Sequence, residues 1–314
     1  MRVTRGGHVE SVHEFAWRLH EPGGGSRGGG DVGPVFLRSA AKPFQALPAV
    51  RAGVLERFGL GERHLAVASA SHGGDGRHLA RVGEILNACG VGEEGLACGP
   101  LLPRDPRAAD ALPGPPHRIH HNCSGKHALG LALCVHEDWP VEGYLEAGHP
   151  LQRAMHDAIL QATGTSDGDV EVAVDGCGMQ TYAIGLERLA AAFAALAGGG
   201  LGPAGARVAA AMSGNPALVA FPGAIDAELM AAHPGVVAKI GAEAVIAIGT
   251  PDGRGLALKV LDGNGRAIDA AAVLCARELL GLPCDTPALG ALAAPAIVNS
   301  RGAVVGRLEA ALDS

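Results

Sequence analysis

Apolar residues recur at helical spacing over 78–89, 125–136, 150–163, 187–197 and 205–212, and each run predicts a helix with one face turned inward. Shorter runs follow strand patterns. Residues 1–20 predict a strand and its continuation, Val35-Phe36-Leu37 a short strand, and Leu65 to Ala70 an apolar strand ending at Ser71-His72-Gly73-Gly74-Asp75. Ser39 to Leu47 predicts a helix start, which Pro43 does not disturb because the first N–H groups of a helix have no internal partner. Further on, Ala244–Ile248 and Leu256–Leu261 predict two strands joined by a Pro-Asp-Gly turn at 251–253. Asp262-Gly263-Asn264-Gly265 then turns into a helix near 268–281, and a last strand pair around Ile297 and Val304 flanks Asn299–Gly302. Pro22–Gly30 has no apolar content and predicts a flexible Gly-rich hairpin loop. It lacks the Gly-Lys-Ser/Thr ending of a phosphate-binding loop.

Strands at both ends with most helices between them predict an α+β, three-layer α-β-α arrangement, with an antiparallel sheet closed across the whole chain. Neither an internal repeat nor a Pro-rich linker divides residues 1–314, so the expectation is one domain.

Composition narrows the classes. The 48% hydrophobic and 18% charged residues fit a soluble globular chain, and the net charge of −7 argues against a nucleic-acid partner. No apolar run is long enough to span a bilayer, and Met1–Gly7 lacks the apolar core of a signal peptide. Seven cysteines spread over the chain favour reduced thiols in a cytoplasmic protein over a disulfide framework.

One count bears on chemistry. Only four of the twenty-five basic side chains are lysines: Lys42, Lys126, Lys239 and Lys259. A surface that accepts either cation has gone to arginine, so the retained lysines are candidates for losing a proton, which a guanidinium does not do. Ser39-x-x-Lys42 places both side chains on one helix face. It reads either as an N-cap serine before a surface lysine or as a hydroxyl beside a neutral amine base. Asn122-Cys123-Ser124-Gly125-Lys126-His127 and Asp175-Gly176-Cys177-Gly178 both sit at turns. Cys123 with His127 four residues on, and Cys177 as a further thiolate, is a plausible zinc spacing, against two buried cysteines acting as small apolar residues. His72 either orients a nucleophile or satisfies its own turn.

These motifs fall into a familiar order. Thr4–Gly7 with Val9-Glu10-Ser11, Arg38–Pro43, Ala70-Ser71-His72, Asn122–His127, Val174–Cys177 and Ala238–Glu243 together resemble the rhizobial-type (class 3) L-asparaginase family, also called L-asparaginase II. The resemblance runs nearly end to end and holds three of the four lysines. It implies a fold similar to serine β-lactamases and serine-dependent glutaminases, with an antiparallel sheet between helical layers. It implies two serine–lysine pairs, matched by Ser39 with Lys42 and by Ser71 with Lys239. It implies a zinc ion on Cys123, Lys126 and Cys177, replacing the His127 that spacing favours, and a substrate site lined by Arg38, His127 and Asp175. The expected reaction is amide hydrolysis of L-asparagine by a homodimer. The alternatives are a glutaminase or β-lactamase-like serine acyl transferase, or a catalytically inactive zinc-binding homologue. The sequence departs from the usual pattern at Gly73-Gly74-Asp75, at His121, and over Asn215–Phe221, where the segment bears on substrate preference.

Overall fold

The computed structural model describes residues 1–312. Its strands in chain order are β1 (Arg2–Arg5), β2 (His8–Val12), β3 (Phe15–His20), β4 (Ser26–Gly29), β5 (Val35–Phe36) and β6 (Glu171–Val174). They continue with β7 (Gln180–Ile184), β8 (Val237–Gly241), β9 (Val245–Gly249), β10 (Gly255–Val260), β11 (Ala296–Val298) and β12 (Val304–Glu309). The main sheet is antiparallel in the order β4-β3-β10-β9-β8, so an N-terminal strand is paired with strands from the last quarter of the chain. A second sheet, β11-β12-β1-β2, joins the two ends again, and a third, β5-β7-β6, carries the turn at Asp175–Gly178. The architecture is α+β with antiparallel sheets and helical layers, as the pattern predicts.

The helix Leu186–Ala197 packs on β3, β9 and β10, and the helix Ile268–Leu280 packs on β9 and β10. Contact with Leu186–Ala197 is close enough to require glycine in the sheet. A Cβ at Gly249 would lie 2.0 Å from the Phe193 carbonyl oxygen, and one at Gly255 would lie 2.0 Å from that of Ala190. The helices Glu62–Ala68, Gly76–Cys89, Ser124–His136 and Gly202–Gly214 form a separate cluster beside the sheet. Helix ends follow ordinary capping chemistry: Asp75 accepts from the N–H groups of Arg77 and His78, and Gly90 closes the same helix with φ +71°.

Two expectations are corrected. Leu65 to Ala70 is not a strand, because residues 62–68 are helical. Leu65, Ala66, Val67 and Ala68 are all buried among the neighbouring helices, so the run has no polar face and its period is unreadable. Pro22–Gly30 is not wholly loop, because Ser26–Gly29 pairs with β3 as an edge strand. There Gly29 serves close packing, since a Cβ would come within 2.5 Å of the Trp17 indole nitrogen. Strands β6, β7 and β8 carry no clear alternation and are additions from the structure. Among the described residues no single helix is long and apolar enough to cross a membrane.

Candidate active site

The turn Arg38–Ala41 and the helix Lys42–Gln45 follow β5 directly. Arg38 holds a left-handed backbone at φ +49°, a strained conformation for a side chain of its size, fixed by the hydrogen bond from its N–H to Thr181 Oγ1 at 3.1 Å. This turn drives Lys42 inward, where its side chain is 1% exposed. The amine contacts three oxygens: Ala70 O at 2.5 Å, Ser71 Oγ at 3.1 Å and Asn122 O at 3.4 Å. No carboxylate pairs with it among the described residues. Burial pulls its pKa below the usual lysine value; the charge of Cys123 opposes this and that of Lys126 adds to it.

These three partners define what the neutral amine does. Two are carbonyls, which only accept, so they take its two N–H groups. As an ammonium, Nζ donates to Ser71 Oγ, at 3.1 Å; a neutral amine would turn its lone pair to that hydroxyl. Ser39, one turn before Lys42, makes no side-chain hydrogen bond among the described residues, and its carbonyl accepts from the Lys42 backbone N–H. The sequence expectation paired Lys42 with Ser39; the hydrogen bond in the structure goes to Ser71.

Lys239, on β8, is equally buried but differently partnered. Its amine lies 3.1 Å from Asp226 Oδ2 and donates to Ile240 O at 2.9 Å, while the Ile240 N–H also reaches Asp226 Oδ2, at 3.2 Å. Both side chains of the pair are 0% exposed. Burial, partly offset by the Asp226 charge, brings the Lys239 pKa down to about 8. The expected partner Ser71 does not hydrogen-bond to it.

The cysteine motifs meet on the other flank. Cys123 immediately precedes the helix Ser124–His136, Lys126 is in its first turn, and Cys177 lies between β6 and β7. The helix approaches Glu62–Ala68 so closely that a Cβ on Gly125 would sit 2.3 Å from Val67 O. Lys126 Nζ lies 3.2 Å from Cys177 Sγ. A hydrogen bond with Cys123, aided by the Lys126 charge against burial, lowers the Cys177 thiol to about 5. Burial works against the Lys126 ammonium, but the charges of Cys177, Cys123 and Asp175 outweigh it and the pKa is raised. Asp175 Oδ1 accepts from Arg38 Nε at 2.6 Å and from the Gly176 N–H at 2.8 Å, and its Oδ2 is 3.8 Å from Cys177 Sγ.

No group of three His, Cys, Asp or Glu side chains among the described residues is placed to hold a metal ion. Counting the lysine amine changes the inventory: Cys123, Lys126 and Cys177 offer two sulfurs and a nitrogen, a donor set that suits tetrahedral zinc with one position open. His127 stands apart from this set. Tyr144 OH accepts from the Ala97 N–H at 2.8 Å and shares a hydrogen bond with His127 Nδ1, at 2.6 Å. The Nε2 of His127 is buried without a partner among the described residues. Burial and the Lys126 charge hold this ring neutral, with a pKa of about 3.

The model of the L-asparaginase II family matches residues 1–310. The chain belongs to the L-asparaginase II family. That membership supports asparagine amidohydrolase activity in general. No curated protein matches the chain. Two solved structures, described as "Crystal Structure Analysis of Mglu in its native form" and "Crystal Structure Analysis of Mglu", each show 16% identity and a TM-score of 0.47. The match covers 87% and 85% of this chain and 66% of each of theirs.

Within this L-asparaginase II chain, the structure brings Lys42 to Ser71, Arg38 to Asp175, and Lys126 to Cys177. It directs His72 away from the serines, because the ring donates from Nε2 to Ser124 Oγ at 2.9 Å while that hydroxyl donates to Ile119 O. His72 thus ties its turn to the start of the helix Ser124–His136. Four residues escaped the sequence reading: Asp226, Tyr144, Thr181 and Arg104, whose guanidinium reaches Ser71 O at 3.3 Å. Asp226 opens a helix at Ile225, an ordinary place for an acid, so nothing in the sequence marks it as the partner of a buried lysine. Tyr144 offered one signal, since it is one of only two tyrosines in the chain.

Proposed function

We propose that this protein hydrolyses the side-chain amide of L-asparagine to L-aspartate and ammonia through an acyl-enzyme. Family membership supports the reaction class. The observation that carries the mechanism is the buried Lys42 amine, without a carboxylate partner and within hydrogen-bond distance of a serine hydroxyl.

The neutral amine takes the Ser71 proton as Oγ bonds to the amide carbon. The Lys42 ammonium then gives that proton to the departing nitrogen, the C–N bond breaks, and ammonia leaves. Water attacks the ester, its proton passes through Lys42 to the released serine oxygen, and L-aspartate departs. Backbone N–H groups at the start of the Arg38–Gln45 segment are the candidate donors to the oxyanion. Ser39 and Lys239 complete the site as proton-relay and polarising groups. The alternative keeps Ser39 as the attacking hydroxyl, one turn from the same base, which its lack of any competing hydrogen bond favours. Cys123, Lys126 and Cys177 would hold zinc, which supplies a Lewis-acidic charge beside the Asp175–Arg38 pair that helps to line the substrate site. The proposal extends to a cytoplasmic homodimer.

The test is ammonia release from L-asparagine and L-glutamine, and ring opening of a chromogenic β-lactam followed by absorbance, with purified protein and mass spectrometry of the trapped acyl-enzyme. Rapid asparagine turnover with the acyl mass on the peptide containing Ser71 supports the reading. The mass on Ser39 reverses the serine roles. Preferential turnover of glutamine or the lactam replaces the substrate, and stoichiometric asparagine binding without ammonia identifies an inactive homologue.

A further inference from the structure

Gly73 follows closely on Ser71, and its backbone is not in the left-handed region, so conformation alone would admit a larger residue there. Packing is what excludes one. A Cβ at Gly73 would lie 2.8 Å from Phe221 Cβ and 3.1 Å from Asp105 Cβ, inside ordinary contact distance. Gly73 and Phe221 belong to two of the stretches that depart from the usual family pattern, and the fold seats one upon the other.

The same neighbours hold Ser71 itself. Its N–H donates to Val219 O at 3.0 Å, and its carbonyl accepts from Arg104 Nη1 at 3.3 Å. His78 Nε2 donates to Ala220 O at 3.2 Å, and the Asp105 N–H donates to Gly73 O at 3.0 Å. The Val219–Phe221 segment thus grips the turn from one side and Arg104 with Asp105 from the other. Arg104 joins the two sides, because its guanidinium carbon stands 5.7 Å from the centre of the half-buried Phe221 ring. Arg104 is itself exposed, so burial does not impose either of its contacts.

What the turn carries makes this grip consequential. Ser71 Oγ lies 3.1 Å from Lys42 Nζ, and Ala70 O beside it accepts from the same amine. The His72 N–H donates to Asn122 O, the third oxygen around that amine. A shift of the turn therefore moves the hydroxyl and disturbs the acceptors that orient its base.

We propose that Phe221 and Arg104 are positioning residues that clamp the Ser71 turn and hold its hydroxyl at Lys42 Nζ, with Gly73 as the notch that admits the Phe221 side chain. The inference rests on the reading of Ser71 and Lys42 as the reacting pair and adds what keeps that pair in register. A displacement of about 1 Å between reacting groups can cost on the order of 10²-fold in rate. Arg38 and Asp175, expected to line the substrate site, pair with each other on the opposite flank, so the clamp acts on kcat and leaves KM nearly untouched.

The experiment uses Gly73→Ala, Arg104→Met, Arg104→Lys and a double variant, Gly73→Ala with Phe221→Gly, which removes the Cβ that the added methyl meets. Circular dichroism and thermal unfolding establish that each is folded. Steady-state kinetics with L-asparagine are measured beside the rate at which a fluorophosphonate labels Ser71, located by peptide mass spectrometry. That label forms an Oγ–P bond as fluoride leaves and the serine proton passes to Lys42, so it reports on the pair without asparagine. We expect Gly73→Ala to lower kcat and the labelling rate together by about tenfold or more, with KM within about twofold of the wild type. Arg104→Met should lower both by about threefold or more, and Arg104→Lys, which can still donate to Ser71 O, should recover part of the loss. The double variant should regain most of what Gly73→Ala loses, because the two positions act through one contact. Unchanged kcat and labelling in folded Gly73→Ala and Arg104→Met, a double variant no faster than Gly73→Ala, or a wild type without label at Ser71 overturns the clamp. A wild type that labels at Ser71 but releases no ammonia ends the amidohydrolase reading, and the labelling rates then decide the clamp alone. The same order of rates across the variants upholds it, and equal rates overturn it.

Discussion

Lys42 and Lys239 are both fully buried amines, yet their surroundings are opposite. Lys42 is met only by two carbonyls and a hydroxyl, whereas Lys239 is met by the Asp226 carboxylate. Burial disfavours the charged form of each, and what differs is the compensation. Beside a carboxylate, the ammonium is retained to near neutral pH and serves as a fixed positive charge. Beside neutral oxygens no carboxylate holds the proton, and burial lowers the Lys42 pKa against the charges of Cys123 and Cys177. Equal burial thus leaves two lysines in different company, one beside a carboxylate and one beside a serine hydroxyl.

The strongest way to break this comparison is at Lys42. Lys42→Arg should be nearly as damaging as Lys42→Ala, each lowering kcat by roughly 10²–10⁴-fold, because a guanidinium cannot accept the serine proton. The measurement is kcat in both variants at matched zinc content, and substantial activity in the arginine variant would show that the position needs only a positive charge. In the wild type, kcat should rise with pH through the depressed pKa of Lys42, because the amine is the active form.

The next effect is expected at Asp226. Asp226→Asn leaves a buried ammonium without its counter-charge, a change that typically costs about 3–5 kcal/mol. The sign at Lys239 follows: losing a neighbouring negative charge disfavours the cation, so its pKa should fall below the wild-type value of about 8. If its charge is used, the alkaline limb of kcat moves to lower pH by the same amount. Thermal unfolding of Asp226→Asn and of Asp226→Asn with Lys239→Met checks the pairing. The double variant should be the more stable of the two, and equal stabilities would mean that the ion pair does not decide the state of Lys239.

Much of this contrast was hidden in the sequence. Lysine scarcity together with the motifs singled out Lys42, Lys126 and Lys239, and the helical periods placed most of the scaffold around them. What the sequence could not carry was pairing. Ser39 and Ser71 were both legible as candidates, but only the fold shows that Ala70 and Asn122 supply the carbonyls that turn Lys42 toward Ser71. Asp226 and Lys239 are thirteen residues apart and meet because β8 runs beside the helix Ile225–Ala232. Leu65 to Ala70 was misread for a related reason: a segment buried on every side shows no period, so helix and strand leave the same trace.

Lys126 sharpens the comparison from a third side, because its neighbours are thiols. We expect one zinc per chain by elemental analysis of protein purified without added metal. Cys177→Ser and Lys126→Ala should each lower the occupancy at least tenfold. Binding requires the amine and thiols to shed protons, so affinity should weaken as pH falls. Unchanged zinc in both variants, or a wild type free of zinc, would leave Lys126 as a simple counter-ion to Cys177.

The smallest effect is expected at Lys259, the one lysine outside every motif. It sits on β10 at partial exposure, and its amine donates to the carbonyl of Glu243, at 2.8 Å, and to that of Val260. Carbonyls accept equally well from a guanidinium, and no step of the proposed reaction draws a proton from this position. Burial lowers its pKa without a nearby hydroxyl that could use the freed lone pair. Lys259→Arg should therefore change kcat and KM by less than about twofold and stability by about 0.5 kcal/mol or less, the range of ordinary surface substitutions. The contact holds the turn after β8, where Glu243 and Ala244 are both left-handed at φ +60° and +55°, so Lys259→Ala should cost more stability than Lys259→Arg. A large loss of activity in the arginine variant would show that this lysine, too, acts through its proton.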